Sequence, residues 1–321
     1  MSRPGYSRAK KLPAIINHRD QVSSSRGQNL LLSLCLSEHE HLHEKLLGNG
    51  AILFRGFPTL SIPEFADFAA AFSGRQLLDY TAGASPRTKL GGGVYTSTEY
   101  PRNFTLSLHN ELSYTFAWPE YLFFYCVTPA QHGGETPLGD SRSILGKIDP
   151  DVVDRFKRKG IRYNRVLEDQ LASEYSWQAA FETGDRSAVE QYCADGGVSF
   201  RWNEDGSLFL SEVRPATAIH PKTNDEVWFN QADGFHPSVF GPDEYQKIMS
   251  LGGDHKLRLN CCFGDGSPID ISDLENIREV IRNEMVPVTW QVGDVLVVDN
   301  MLACHGRMPY SGPRKILLAM A

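Results

Sequence analysis

The sequence predicts a mainly β fold, a β-sandwich or jelly roll decorated with helices, and three observations lead to this prediction. Many short runs are rich in β-branched and aromatic residues, as in EYLFFYCV and DVLVVDN. Consecutive runs are often joined by turn-length segments, which cannot hold the crossover helix that parallel strands need. Helical patterns fall in the first quarter, in the middle and in one late segment. An alternating α/β fold therefore fits less well.

The first part of the chain contains two predicted helices and three predicted strands. Residues 37–48 and 61–73 each begin with a serine and carry a glutamate three positions later, which is the spacing of a capping box. Apolar residues follow at helical spacing in both. Between them lies the strand-like AILFRGF, and after a glycine-rich stretch come the strand-like NFTLSLHNEL and EYLFFYCV.

The middle of the chain, from about 141 to 196, has mostly helical patterns, of which DVVDRFKRKG and SAVEQYC are the clearest. Strand patterns resume in GVSFRW, SLFLSEV, EVWFNQ and KLRLNCCF. ISDLENIREVIRNEM predicts one more helix, in which Ser272 and Glu275 have the spacing of a weak capping box. The strands DVLVVDN and RKILLAMA complete the pattern. We expect one domain over 1–321, with 1–36 as an N-terminal extension and about 141–196 as a mostly helical insert.

Composition limits the class of function. The 321 residues are 41% apolar and 22% charged, which is typical of a folded soluble protein. The net charge is −7 and no long basic run occurs, so we expect a small-molecule or protein partner and no nucleic acid. Six cysteines without C-x-x-C spacing predict reduced thiols in a cytoplasmic protein. The apolar stretch LLLSLCL is too short to span a bilayer and no signal-peptide pattern is present, so no membrane contact is expected.

One candidate metal site lies in the first predicted helix, where His39, Glu40 and His43 match the H-E-x-x-H signature of zinc metalloproteases. On a helix the two histidines share a face, as zinc binding requires. A catalytic zinc also needs a third protein ligand, and the following EKLLGNGAIL does not supply one. We favour a solvated, histidine-rich helix and keep a zinc hydrolase as the alternative.

A second candidate site combines SLHNELSY with the C-terminal segment. On an extended segment His109 and Glu111 lie on the same side, which gives two corners of a 2-His-1-carboxylate facial triad for Fe(II). His305 follows an apolar strand and precedes a Gly/Pro-rich turn, so it can supply the third ligand. Arg314 opens the next strand, and its guanidinium can pair with a dicarboxylate bound to the same metal.

Four segments together resemble, in order, the taurine dioxygenase-like (TauD/TfdA) family of Fe(II)- and 2-oxoglutarate-dependent oxygenases. They are AILFRGFP, SLHNELSYTFAWPEYLFFYCVTPAQHGGETPLGDSR, AIHPKTNDEVWFNQ and DNMLACHGRMPYSGPRKILLAM. GGETPLGDSR and HGRMPYSGPRKIL are the most specific, and they resemble the branch that hydroxylates amino-acid units in nonribosomal peptide and related specialised metabolism. The resemblance implies a double-stranded β-helix (jelly roll) core, with Fe(II), 2-oxoglutarate and O2 as cofactor and cosubstrates.

Carried over residue by residue, the resemblance also implies site residues. The implied iron ligands are His109, Glu111 and His305. Thr136 is implied to hydrogen-bond a carboxylate of 2-oxoglutarate, and Arg314 to anchor its distal carboxylate. Lys315 is the rival anchor, because an alignment can slip by one residue. No catalytic residue beyond the metal ligands is implied.

The sequence also departs from the pattern of this family. Taurine dioxygenase carries a second arginine four residues after the anchor to hold an acidic group of its substrate, and here that position is Leu318. A carrier-tethered or neutral substrate explains the change, and so does an anchor at Arg102, Arg214 or Arg307. Glu111 disfavours halogenation, since halogenating relatives have a small residue there. We therefore expect hydroxylation of an unactivated C–H bond of an amino-acid-derived small molecule, free or tethered to a carrier protein. A jelly-roll binding module without turnover is a further alternative.

Overall fold

The structure is a computed structural model that describes residues 11–20, 29–170, 173–250 and 257–321. The strands are β1 (Ala14–Asn17), β2 (Ala51–Arg55), β3 (Lys89–Gly91), β4 (Val94–Thr96), β5 (Leu106–His109), β6 (Tyr121–Thr128), β7 (His132–Gly133), β8 (Thr136–Asp140), β9 (Ile161–Leu167), β10 (Ser199–Trp202), β11 (Leu208–Arg214), β12 (Thr217–Ile219), β13 (Glu226–Trp228), β14 (Leu259–Phe263), β15 (Val286–Val288), β16 (Val295–Asp299), β17 (Ala303–Arg307), β18 (Tyr310–Ser311) and β19 (Lys315–Met320). The helices are α1 (Leu30–Ser37), α2 (His39–Asn49), α3 (Ile62–Ser73), α4 (Ser141–Lys147), α5 (Pro150–Lys159), α6 (Trp177–Phe181), α7 (Arg186–Gly196), α8 (Ala232–Phe235), α9 (Pro242–Ser250) and α10 (Ile271–Glu284).

Two sheets form the centre of the fold. The larger sheet has the strand order β1-β2-β16-β6-β19-β4-β3, and the smaller sheet has the order β15-β8-β17-β5. Leu108, Leu138 and Cys304 of the smaller sheet share one apolar core with Leu122 and Phe124 of the larger sheet. The two sheets therefore pack on each other, and the predicted mainly β fold with a jelly-roll core and flanking helices is confirmed.

The other face of the larger sheet is covered by helices. Along β6, residues 122, 124 and 126 belong to the core between the sheets, whereas residues 121, 123 and 125 pack with side chains of α1, α2 and α3. Successive strand residues point to opposite faces, so a strand that is buried on both sides must be apolar throughout. This explains the continuous apolar runs of β6, β16 and β19.

The predicted helical insert also contains a strand. Residues 141–196 include α4, α5, α6 and α7, but β9 lies between them and pairs with β11 and β14 in a four-stranded sheet. Its sequence IRYNRVL alternates in burial, with the buried Arg165 at an inward position. Because that position is not apolar, the sequence does not show the apolar–polar alternation that would predict this strand. The division of the chain into extension, core and insert stays a prediction.

One of the three predicted capping boxes is confirmed. Ser61 accepts a hydrogen bond from the backbone N–H of Glu64, whose side chain binds the backbone N–H of Ser61 in return. The other two predictions are wrong. Ser37 is the last residue of α1, and its hydroxyl donates to the carbonyl of Leu34 instead of capping α2. Ser272 lies inside α10, since that helix begins one residue earlier.

The cysteines are reduced, as the sequence predicts. None of the six cysteines forms a disulfide, and five of them are buried. Burial raises the pKa of the Cys304 thiol to about 12, so this side chain behaves as an apolar core residue. No helix in the described ranges is long and apolar enough to cross a bilayer.

Candidate metal centre

The two histidines of the candidate site lie on neighbouring strands. In the smaller sheet β5 and β17 are antiparallel, and His109 is the register partner of His305. Their rings are 4.4 Å apart between centroids. His305 lies in the middle of β17, whereas the sequence pattern had suggested a strand exit, because Met301 and Leu302 form a turn before β17 begins.

Glu111 lies in a turn. β5 ends at His109, so the expectation that an extended segment continues through Glu111 is wrong, although the two side chains still converge. Leu112 has a φ of 56°, a left-handed conformation that non-glycine residues rarely adopt. Such strain persists only where the surrounding structure holds it in place.

Asn300 holds this turn. Its buried side chain accepts a hydrogen bond of 2.7 Å from the Glu111 backbone N–H and donates one of 2.9 Å to the Glu111 carbonyl. It also donates to the carbonyl of Pro119 at 2.9 Å. Asn300, which follows β16, thus fixes the backbone of Glu111 next to both histidines.

We expect Asn300→Ala to lower the free energy of unfolding by about 2–4 kcal/mol, because it leaves buried backbone groups without partners. Urea denaturation measures this loss, and Asn103→Ala, at an exposed asparagine, is the control. Equal stability of the two variants would contradict the role of Asn300.

The donor atoms of His109, Glu111 and His305 can meet at one point. One ligand atom from each lies within 4.8 Å of the others. His109 donates from Nδ1 to the carbonyl of Ser107 at 2.8 Å, which leaves the lone pair on Nε2. Burial lowers the pKa of His305 well below its usual value, so this imidazole is neutral. Nδ1 of His305 is buried without a hydrogen-bond partner.

Arg87 forms a buried ion pair with the candidate ligand carboxylate. Its Nη2 donates to Oε2 of Glu111 at 2.7 Å, and the two side chains are 2% and 4% exposed. The guanidinium also lies over the ring of Tyr80, 4.6 Å from its centroid. Oε1 of Glu111 is not used by this pair. Two imidazoles and a carboxylate with an available oxygen are the donor set that suits Fe(II).

A small cavity lies beside the two histidines. It is lined by both histidines, Thr136 and Arg314. The Oγ1 of Thr136 accepts a hydrogen bond of 3.0 Å from the indole N–H of Trp290, so the hydroxyl proton is available to another group. Trp290 lies in an irregular segment, and no sequence pattern predicts its contact with Thr136.

Arg314 is a desolvated cation. Its Nε donates to the carbonyl of Gly134 at 3.1 Å, and no carboxylate of a described residue forms an ion pair with it. Burial lowers the pKa of Arg314 to about 10, and the side chain is still charged at neutral pH. Lys315, the rival anchor, is exposed and does not line the cavity. An acidic ligand in this cavity would neutralise Arg314.

A larger cavity of about 210 Å³ lies on the other side of His109. Its wall includes several aromatic and amide side chains, among them Tyr100, Tyr175, Trp228, Asn230, Gln231 and Phe235. Residues 84–86, from the glycine-rich segment before β5, also line it. This composition is typical of a pocket for a small organic molecule.

The three arginines considered as substrate anchors do not line this cavity. Arg307 donates to three backbone carbonyls between residues 100 and 104. Arg214 pairs with Glu212 at 2.6 Å, and Arg102 is exposed. Each of the three is thus occupied by the protein itself or lies on the surface.

The H-E-x-x-H match has a structural explanation. The Nε2 atoms of His39 and His43 both contact the carbonyl of Phe72, at 3.2 and 2.8 Å. His43 also stacks on the Phe72 ring, with 4.8 Å between centroids. In the parts of the chain that the structure describes, the group around His305 is the one cluster of three residues able to hold a metal ion.

Comparison with protein families and known proteins gives consistent results. The model of the family "Taurine catabolism dioxygenase TauD, TfdA family" matches residues 23–320. The chain is 35% identical over 282 residues to the dapdiamide synthesis protein DdaC of Enterobacter agglomerans, which covers 88% of this chain and 85% of DdaC. It is 32% identical over 322 residues to a clavaminate synthase-like protein of Arabidopsis thaliana, with 97% and 94% covered.

A solved structure shows the same fold. The PvcB protein from Pseudomonas aeruginosa superposes with a TM-score of 0.54 at 14% identity, covering 98% of this chain and 88% of PvcB. At this identity the likeness concerns the arrangement of strands and helices.

Proposed function

The chain belongs to the TauD/TfdA family of Fe(II)- and 2-oxoglutarate-dependent dioxygenases, and we propose that it hydroxylates an unactivated C–H bond of an amino-acid-derived small molecule. The observation that carries the proposal is the convergence of two imidazoles and one carboxylate, with one of the imidazoles, His109, on the wall of both cavities. One cavity has the groups that suit 2-oxoglutarate, and the other suits a small substrate.

In this proposal the iron is held by His109, Glu111 and His305. The neutral state of His305 and the hydrogen bond from His109 Nδ1 to a carbonyl support it, since both leave a nitrogen lone pair for the metal. Asn300 positions Glu111 through its backbone, and Arg87 holds one oxygen of its carboxylate. Asn300 and Arg87 orient the Glu111 side chain and take no part in the reaction.

The cosubstrate 2-oxoglutarate is bound, in the same proposal, by Arg314 and Thr136. Arg314 is half-buried without an ion-pair partner in the described residues, and a guanidinium pairs bidentately with a carboxylate. Trp290 donates to the hydroxyl oxygen of Thr136, whose proton can then be donated to a carboxylate of the cosubstrate.

The bound iron, 2-oxoglutarate and O2 supply the oxidation, and the protein supplies enclosure and orientation. The aromatic rings in the wall of the larger cavity would help to exclude water from the target carbon once a substrate is bound. A substrate in this cavity lies against His109, so its C–H bond is next to the metal ligands. No side chain is assigned an acid or base role.

The substrate class follows from the relatives and from the cavity. DdaC acts in dapdiamide synthesis, and we propose a comparable amino-acid unit, free or tethered to a carrier protein, in specialised metabolism. A cavity of about 210 Å³ fits a molecule of that size. We keep a cytoplasmic location as a prediction.

Turnover of 2-oxoglutarate tests the function. The metal-free protein is reconstituted with Fe(II), 2-oxoglutarate and O2, and is given a panel of free and carrier-bound amino acids. We expect one class of compound to stimulate succinate formation and to gain one oxygen atom, as detected by mass spectrometry. Reconstitution with Zn(II) is the control and should give no succinate. Hydrolysis of a substrate with Zn(II), without succinate under any condition, would instead support the zinc hydrolase.

The two alternatives are not favoured. A zinc hydrolase would use His39 and His43, whose Nε2 atoms both contact the same carbonyl. A binding module without turnover would not need a buried cluster of metal-binding side chains between two cavities.

A further inference from the structure

The larger cavity contains a cation whose charge the described protein does not balance. Arg258 lines this cavity together with His109. Its Nη1 donates to the carbonyl of Ala84 at 3.1 Å, and its guanidinium lies over the ring of Tyr175, 4.0 Å from the centroid. Among the described residues, none accepts a hydrogen bond from its Nε or Nη2.

The other charged residue of the cavity wall already has a partner. Asp233 binds Arg278 through a side-chain ion pair, so its charge is compensated outside the cavity. Glu168 is close enough to influence the pKa of Arg258, but it does not form an ion pair with it. The cavity therefore presents one net positive charge on its wall.

Leaving this cation uncompensated costs free energy. Burial lowers the pKa of Arg258 from its usual value, which shows that the guanidinium has lost part of its hydration. A partly buried charge without a counter-ion is expensive unless a ligand supplies one. The stacked Tyr175 and the single bond to Ala84 fix the plane of the guanidinium while Nε and Nη2 stay available.

We infer that Arg258 is a specificity-determining residue that binds a carboxylate group of the substrate, an inference that rests on the proposed function. A guanidinium edge pairs bidentately with a planar carboxylate. A carboxylate carries one negative charge, which matches the single uncompensated cation, whereas a phosphate monoester carries about −1.5 to −2 at neutral pH. The substrate class is thus an amino-acid unit with a free carboxylate.

This assignment also accounts for the missing second arginine near the C-terminus. Leu318 belongs to the apolar core between the two sheets and is fully buried, so no charged group can bind there. Arg258 reaches the substrate cavity from the residue before β14, on a different element. In this inference the anionic group is held from the residue before β14 instead of from the position of Leu318 in β19.

Matched pairs of probes test the inference. The reconstituted enzyme with Fe(II) and 2-oxoglutarate is titrated without O2 with the N-acetyl derivatives of L-leucine, L-phenylalanine and L-asparagine, each as the acid and as the carboxamide. Isothermal titration calorimetry gives both dissociation constants. We expect at least one acid to bind about 10- to 100-fold more tightly than its amide, as charge-assisted hydrogen bonds produce.

Arg258→Gln should reduce this ratio to about one, while Arg258→Lys, which keeps the charge but loses the planar edge, should give an intermediate ratio. Arg102→Gln, at an exposed arginine, is the matched control and should keep the full ratio. Equal binding of acid and amide to the unaltered enzyme would overturn the inference. So would binding of neither compound in every pair, or an undiminished ratio in Arg258→Gln.

Failure of the proposed function gives a different result. If the acids bind through Arg258 but no compound ever stimulates succinate formation, the anion site stands and the oxygenase proposal for this cavity fails. If succinate forms with a substrate that lacks a carboxylate, the oxygenase stands and the anion site fails. For a substrate that has one, Arg258→Gln should raise KM about 10- to 100-fold and leave kcat nearly unchanged.

Discussion

Replacement of His305 by alanine is expected to lower Fe(II) affinity and 2-oxoglutarate turnover by more than about 100-fold, since even residues that only support metal ligands contribute 10- to 100-fold. His305 lies at the centre of the donor cluster, opposite His109 on the adjacent strand. We expect anaerobic titration of the metal-free protein with Fe(II) and 2-oxoglutarate to give a weak visible charge-transfer band in the unaltered enzyme. In His305→Ala, and likewise in Glu111→Ala, this band should disappear.

His43→Ala is the matched control for this experiment. His43 is a half-buried histidine of the H-E-x-x-H segment, and its Nε2 contacts the carbonyl of Phe72. We expect an unchanged charge-transfer band and nearly unchanged turnover. A normal band in His305→Ala, or a lost band in His43→Ala with its fold intact by circular dichroism, would exclude the proposed metal centre.

Arg314→Gln should raise the KM for 2-oxoglutarate about 10- to 100-fold, because it removes a charge-assisted, bidentate contact to the distal carboxylate. Arg314 lines the small cavity beside both histidines, whereas the next residue, Lys315, is exposed. The neighbouring substitution Lys315→Gln removes the same charge and is therefore a close control. Succinate formation as a function of 2-oxoglutarate concentration measures both.

The two variants also decide between the two alignments of the C-terminal segment. An increase of KM in Lys315→Gln, with Arg314→Gln unaffected, would assign the anchor to the lysine. The substrate KM should not follow the same pattern, since Arg314 does not line the larger cavity.

The parts of the fold that could be predicted are the strands buried on both faces. β6, β16 and β19 are continuous apolar runs, and this pattern follows directly from their position between helices and a second sheet. Two of the strands beside the site, β8 and β17, were harder to predict. β8 contains Pro137 and Gly139, and β17 has the sequence ACHGR, so neither has a local strand pattern.

Gly306 shows that tertiary packing, and not local sequence, determines the position of β17. A Cβ at this position would lie 2.5 Å from the carbonyl oxygen of Leu106, and the register between β17 and β5 shifts at the same point. The close approach brings His305 and His109 together. Nothing in the short segment CHGRM indicates which strand will approach so closely.

Residue type and spacing predict the candidate metal ligands, but they do not predict the other residues of the site. Asn300, Arg87, Trp290 and Arg258 are single polar or aromatic residues in irregular segments or at strand ends. Their roles depend on which distant atoms they meet, such as the Glu111 carboxylate for Arg87. A single sequence contains no periodic pattern that predicts such long-range contacts.

The ion pair between Arg87 and Glu111 links the proposed metal site to one wall of the larger cavity. Arg87 belongs to the same segment as residues 84–86, which form part of the wall of the larger cavity. A divalent cation bound at Glu111 would compete with the guanidinium for the electron density of one carboxylate. By thermodynamic reciprocity, a conformational change of this segment would then alter the affinity for the cation, and cation binding would alter the energy of that conformational change to the same extent.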